Sequence, residues 1–354
     1  MDKLKILITG VGAPGAPSII KCLRNNNERE IYLVGVDINE KASCRKLVDS
    51  FYVVPKGDDP KFIDSIMDIC IKENVQIIIP LVTKELYAFS YNRDYFLNKC
   101  IQVSVMEFER LKIVNNKGKL LSKLNELSID TPDFIICNSV SEIESGIIKM
   151  GYPNRPVCVK TVEGNGSRGV RIVDASKSRA DLLFNEKPNT LYIGYNELMD
   201  TFREATVLPE IMVMEYLPGE EYGVDALCKQ GSVLYISGRV NESVNSSIPQ
   251  ASIIKYKKYP IEVASKIINK LKLSGNINFD FKYDSKGEAK LIEINPRLSA
   301  TIMSYIAAGI NYPYLQVKNL LSEDLPKINI QEGGMMQRRY TEVLFNSEGN
   351  EIEW

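Results

Sequence analysis

Along the first hundred residues, short apolar runs alternate with helix-periodic stretches. Leu4–Thr9 reads as an apolar strand and Ala16–Asn25 as a helix. Ile31–Val36 is a strand ending in Asp37, and Phe51–Val54 a short strand. Lys61–Glu73 is an amphipathic helix, and Val75–Pro80 a strand carrying the β-branched Ile77, Ile78 and Ile79. This alternation predicts a parallel sheet. Arg110–Leu127 reads as helix with a lysine-rich face, and Ile129–Pro132 as a turn. Hairpin-type strands follow: Val157–Lys160 with Val170–Val173, then Ile211–Tyr216, Tyr222–Cys228 and Val233–Gly238. A helix is predicted at Ile261–Leu271, and a last strand pair at Ile277–Asp284 and Ala289–Asn295. Helices around Thr301–Ala308 and Tyr314–Leu321 close the body. The tail Gln331–Trp354 contains a strand-like Met335–Phe345 with Arg338 and Arg339. The change from βαβ units to hairpins marks a domain boundary near residue 110.

Composition narrows the chemistry. The 354 residues suit two or three domains, and the net charge of −1 gives no pull toward nucleic acid or anionic membrane. No apolar run approaches the ~20 residues that span a bilayer. Met1–Gly10 reads as a first strand rather than a cleavable leader. The seven cysteines form no CxxC pair, so buried free thiols and a reducing cytoplasm are expected. The chain has no histidine. That excludes Ser-His-Asp and Cys-His catalysis and His-ligated zinc. It favours phosphoryl or acyl-phosphate chemistry with a hard metal, or a borrowed cofactor.

Gly10-Val-Gly-Ala-Pro-Gly15 matches GxGxxG between a strand and a helix, with Asp37 beyond it. That is the layout of a dinucleotide site. Pro14 and Pro17 stiffen the turn and remove amide donors. The alternative is a tight strand-to-helix turn holding no nucleotide.

In the hairpin Asn276–Arg297, a four-residue turn at Ser285–Glu288 would pair Asp284 with Ala289. Asp280 then lies opposite Glu293, and Asn278 opposite Asn295. These four share one face, with Lys282 available on it, while Phe279, Phe281, Ile292 and Ile294 take the other. Facing carboxylates repel unless a cation or proton intervenes. Two carboxylates and an amide oxygen suit Mg²⁺ when phosphate completes the shell, and Arg297 in Asn295-Pro-Arg297 suits phosphate oxygens. A solvated polar face is the plainer alternative.

Thr161–Gly169, between two strands, carries Gly164, Gly166, Ser167 and Gly169, with Lys160 just before it. Its amides can approach phosphate as a flap; a flexible hairpin tip is the alternative. Met212–Glu221 is an apolar strand ending in a polar turn, whose backbone could read an adenine edge and whose Glu221 could accept from ribose. Glu85, after Pro80, faces a substrate pocket or starts a surface helix.

The order of these parts resembles the ATP-grasp superfamily, in the style of single-copy relatives of the carbamoyl-phosphate synthase large subunit. The resemblance implies an α/β architecture: a Rossmann-like pre-ATP-grasp domain over residues 1–110, then an ATP-grasp fold of two α+β subdomains over 111–330. Its lid subdomain would cover about 128–215, and 331–354 would be a C-terminal tail. It implies that Lys117 and Lys160 contact ATP, Gly164, Gly166 and Ser167 form the lid loop, Glu215, Tyr216 and Leu217 the adenine strand, and Glu221 the ribose acceptor. Asp280, Glu293 and Asn295 would hold Mg²⁺ (or Mn²⁺), with Arg297 and Arg239 on the phosphate side. The implied reaction is ATP-dependent: a carboxylate forms an acyl phosphate, which an amine or thiol then attacks. A cytoplasmic enzyme, possible as a homodimer, with small-molecule partners only, is expected. That large subunit is a tandem of two such halves, whereas this chain has one, so carbamoyl phosphate formation is not implied. The rival expectations are an NAD(P)-dependent oxidoreductase built on Gly10–Gly15 and a non-catalytic ATP-binding protein.

Overall fold

The computed structural model describes residues 3–164, 168–187, 190–245, 248–348 and 351–352. Among them, β1 (Leu4–Thr9), β2 (Ile31–Asp37), β3 (Ser50–Val53), β4 (Ile77–Ile79) and β5 (Gln102–Val103) form a parallel sheet of order β3-β2-β1-β4-β5. The order reverses between β1 and β4, so the crevice at their C-terminal ends is where such a sheet offers a ligand site. One face packs helices Phe62–Glu73 and Leu86–Tyr91 through Leu7, Val34, Ile78, Phe62 and Phe89. The other packs helix Ala16–Arg24 together with Ile302, Tyr305 and Tyr312 from the far end of the chain. The two halves of the chain therefore share one apolar core.

A second sheet joins β6 (Phe134–Cys137), β7 (Val157–Thr161), β8 (Arg171–Val173), β9 (Tyr192–Ile193) and β10 (Ile211–Glu215) in the order β6-β10-β7-β8-β9. Its own small core contains Ile143, Val159, Leu198 and Val213. A third, antiparallel sheet joins β11 (Glu221–Lys229), β12 (Ser232–Asn245), β13 (Ile248–Ile254), β14 (Gly275–Tyr283), β15 (Ala289–Asn295) and β16 (Met335–Gln337), in the order β15-β14-β11-β12-β13-β16. Helix Lys258–Leu271 covers one face through Ile261, Ala264, Ile267 and Ile268, against Phe279, Phe281 and Leu291.

Several expectations change. Arg110–Leu127 is two helices, Phe108–Val114 and Lys117–Glu126, because Asn116 adopts extended backbone and caps the second by accepting from the Lys119 amide at 2.9 Å. The strand expected at Val233–Gly238 runs on to Asn245 and pairs antiparallel with β13, so the sheet extends well past Gly238. Among its described residues the tail is strand at Met335–Gln337, Leu344–Phe345 and Glu351–Ile352 and not elsewhere. Ile302–Ala308 is 3₁₀ rather than α-helix. Cys100 is exposed, unlike the other cysteines, and the thiols are free. No helix among the described residues is long and apolar enough to cross a membrane.

Candidate functional site

The hairpin β14–β15 reaches the expected pairing by a different route. Tyr283, not Asp284, pairs with Ala289, one residue off the expected register. A β-bulge between Asp280 and Phe281 then absorbs Ile292, which restores Asp280 opposite Glu293 and Asn278 opposite Asn295. The bulge also makes Leu291 the core residue, 1% exposed, where Ile292 was expected, and leaves Ile292 only partly buried.

The pairing extends the face across the sheet. One row runs Glu293, Asp280, Gly223, Arg239, and the next Asn295, Asn278, Asp225, Ser237. Lys282 and Glu221 form a third pair on the same face, 3.5 Å apart. Lys282 thus pairs with Glu221 instead of the facing carboxylates. The Asn295 Nδ2 donates to Asp280 Oδ2 at 2.9 Å and Glu293 Oε1 at 3.2 Å. Lys117 Nζ stands 3.3 Å from Glu293 Oε2 and donates to the Gly164 carbonyl at 2.6 Å. Its neighbour Asn116 donates to Glu163 at 3.0 Å, so the start of one helix grips the base of the glycine loop. Gly166 and Ser167 lie outside the described residues.

The charges are strongly coupled. Burial pushes the Asp280 carboxyl up to about 7; the Glu293 charge adds to the push and Arg239 opposes it. Burial also pushes Glu293 upward, but Lys117 and Lys160 outweigh it and hold that carboxyl below its ordinary value. Burial depresses the Lys160 ammonium and the Arg297 guanidinium. One raised and one lowered carboxyl is how a facing pair rests when burial and mutual repulsion act on both and the lysines favour Glu293. The donor set is all oxygen and compact, which fits a hard divalent cation; for Asn295 to offer its oxygen, its amide would have to turn over.

Arg239 is held differently from its expected role. It is 2% exposed and ion-paired with Asp225; it donates to Tyr305 Oη and Thr301 Oγ1, each at 2.8 Å. Gly223 makes this possible, because a Cβ there would stand 2.8 Å from the Arg239 Cζ. Arg297 reaches across to Thr83 Oγ1 at 3.2 Å, joining the Asn-Pro-Arg turn to the crevice at β4. Glu215 accepts from the Asp133 amide at 3.0 Å, Tyr216 Oη meets Tyr192 Oη at 3.3 Å, and Leu217 is buried. Asp280, Glu293, Asn295, Lys117 and Gly164 therefore converge, while the side chains of Glu215 and Tyr216 bond elsewhere, leaving their backbone as what that strand offers. Asp225 was not anticipated; its only trace in the sequence is the alternation Glu221-x-Gly223-x-Asp225, polar or small on one face of a strand otherwise apolar.

The glycine turn is occupied by the protein itself. Gly10 has φ +59°, and a Cβ there would strike Val82 at 2.4 Å. Gly12 N donates to Asp37 Oδ2 at 2.8 Å, so the acid that a dinucleotide site would aim at a ribose closes the turn here. A Cβ on Gly15 would meet Ala300 Cα at 2.9 Å, and Arg338 lies 3.5 Å from the Pro14 carbonyl. Residues of the C-terminal half thus cover the turn where a pyrophosphate would run.

Glu85 is buried at the switch point and accepts from Thr9 Oγ1. Burial raises its carboxyl to about 7, with Thr9 opposing and Asp37 adding. A folded-state value above the ordinary 4.5 means the stabilising protonated form is fully present at acid pH and lost as pH rises through about 7. Ionising it costs the fold on the order of 3 kcal/mol. Glu85→Gln should therefore stabilise the protein at pH 8 more than at pH 5, as read by urea midpoints. A pH dependence identical to the parent protein contradicts the assignment.

Residues 207–342 match the family model for ATP-grasp in the biosynthetic pathway with Ter operon, and residues 6–104 the PylC-like N-terminal domain. The chain is 25% identical to the carbamoyl phosphate synthase large chain of Caldanaerobacter subterraneus subsp. tengcongensis, over 69% of this chain and 22% of that one. It thus spans about a fifth of that relative's length. The biotin carboxylase domain of Hydrogenobacter thermophilus 2-oxoglutarate carboxylase, solved with MgADP and bicarbonate, superposes with TM-score 0.66 at 18% identity, covering 94% of this chain and 73% of that one. The L-amino acid ligase from Bacillus licheniformis gives TM-score 0.64 at 18% identity, over 90% and 74%.

Proposed function

We propose that this chain, which belongs to the ATP-grasp superfamily, uses Mg-ATP to activate a small carboxylate as an acyl phosphate and passes the acyl group to a nitrogen nucleophile. The single observation carrying this reading is the half-buried row Glu293–Asp280 with Lys117 against it, at the base of a glycine loop. Asp280, Glu293 and Asn295 would hold the Mg²⁺, whose contribution is to neutralise phosphate charge. In the reaction, a carboxylate oxygen bonds to the γ-phosphorus and the bond to the β–γ bridging oxygen breaks, releasing ADP; an amine then attacks the acyl carbon and phosphate leaves. A thiol in place of the amine is the neighbouring possibility within the same chemistry. Such transfer depends on positioning and charge more than on covalent help from the protein. Lys117, Lys160 and Arg297 supply that charge, and histidine is not needed. The loop that begins at Gly164 would exclude water from the acyl phosphate.

That the biotin carboxylase neighbour was solved with MgADP and bicarbonate supports nucleotide use here. The covered glycine turn speaks against NAD(P) at that place. The test is a screen of small acids and amines for stimulated ADP release. Release that needs both an acid and an amine supports the ligase; ATP binding with no release under any pair would leave a nucleotide-binding protein instead.

The same reading predicts a pH effect. With Asp280 raised to about 7, Mg²⁺ must displace a proton. Mg-ADP affinity should fall by roughly tenfold per pH unit below 7, and Asp280→Asn should flatten the profile while weakening binding. A flat profile in the parent protein would contradict the metal assignment.

A further inference from the structure

The Arg239 guanidinium is spent unevenly. Nη1 donates to Asp225 Oδ2 and Tyr305 Oη, and Nη2 to Thr301 Oγ1. The Nε–H is buried and has no partner among the described residues. Buried donors are nearly always satisfied, and a donor on a cation is costly to leave empty. Two further buried atoms are also without partners among the described residues. One is Ser299 Oγ, two residues before Thr301; the other is Asn241 Oδ1, two residues along β12 from Arg239 and so on the same face. Asp225 fixes which edge of Arg239 remains open. It also accepts from Tyr305 at 2.9 Å, and its carbonyl accepts from Tyr312 at 2.9 Å, so it cannot turn away. Gly223 lets the guanidinium lie flat across β11 toward the Asp280 row.

We infer that Asp225 is a positioning residue: by taking Nη1 it turns Arg239 so that Nε, with Ser299 Oγ, receives an oxyanion beside the metal carboxylates, the class of oxygen carried by a transferred phosphoryl group. This rests on the nucleotide reading above. Asp225 itself touches no substrate, so its effect must run through Arg239.

The test is binding of inorganic phosphate to the protein already saturated with Mg-ADP, by calorimetry. Asp225→Asn should weaken the phosphate step at least tenfold while Mg-ADP affinity stays within twofold of the parent. Arg239→Met should do the same, and the double variant, which removes both buried charges, should be no weaker than Arg239→Met alone. Additive losses, a parallel loss of Mg-ADP affinity, or an unchanged phosphate step in Asp225→Asn each overturn the assignment. Should Asp225→Asn fail to fold, Tyr305→Phe keeps both charges and should weaken the phosphate step about threefold; no change overturns the proposal. If the parent protein binds no Mg-ADP, the nucleotide reading falls and this assignment with it. Intact Mg-ADP binding with no phosphate response dependent on Asp225 removes this assignment alone.

Discussion

Glu293→Gln should reduce acid- and amine-dependent ADP release by ~10²–10³, the loss typical when one preorganised charge is removed from a transition state. The substitution keeps the shape and removes the charge that Lys117 and Lys160 hold ionised. Stability should change little in the ligand-free protein, because the same substitution relieves Glu293's repulsion of Asp280 while giving up its ion pair with Lys117. A variant that unfolds at the parent's midpoint yet turns over ATP no faster than background is the expected outcome. Parent-level turnover by a folded Glu293→Gln protein would remove Glu293 from the metal site.

Gly223→Ala should be the most damaging small substitution on the site face. Its Cβ would sit 2.8 Å from Arg239 Cζ and 2.9 Å from both Nη atoms. A flexible side chain would move aside cheaply, but this one is pinned by Asp225, Thr301 and Tyr305. Either the strand shifts or the buried ion pair opens. Overpacking of this kind costs about 1–3 kcal/mol, and a loosened buried pair adds to it. Turnover should fall along with the unfolding midpoint. A protein of parent stability and activity would mean that the guanidinium has room that the structure denies it.

The sequence displayed much of this in its apolar pattern. β1 and β15 have the predicted bounds, because each is a short apolar or alternating run between polar turns. The facing of Asp280 and Glu293 was also legible, although for an imperfect reason: the turn is one residue out, and a bulge at Ile292 returns the register. Bulges are set by tertiary packing, and nothing local in Lys290–Glu293 announces one. The pairing of β12 with β13 was hidden because residues 241–250 are rich in Ser and Asn, which favour turns when read locally; in the sheet Asn241, Ser243 and Val244 pair with Ser252, Ala251 and Pro249. Asp225 was hidden more deeply. Its partner is on another strand, and an acid between Val224 and Ala226 looks like a break in a strand until Arg239 is laid across Gly223. Lys117 was reachable only through resemblance, since a lysine at a helix start carries no signal of its own. The glycine fingerprint left two readings open, and packing decides for the tight turn without a nucleotide. GxGxxG with a following acid was present, but Asp37 bonds the turn and Ala300 covers it.

Calorimetric titration of the parent protein with ADP in Mg²⁺, with ADP in EDTA, and with NAD⁺ bears most directly on the nucleotide site. Saturable ADP binding that is strengthened by Mg²⁺, weakened by Asp280→Asn, and unmatched by any heat from NAD⁺ is the predicted result. Saturable NAD⁺ binding with no response to Mg-ADP would contradict it.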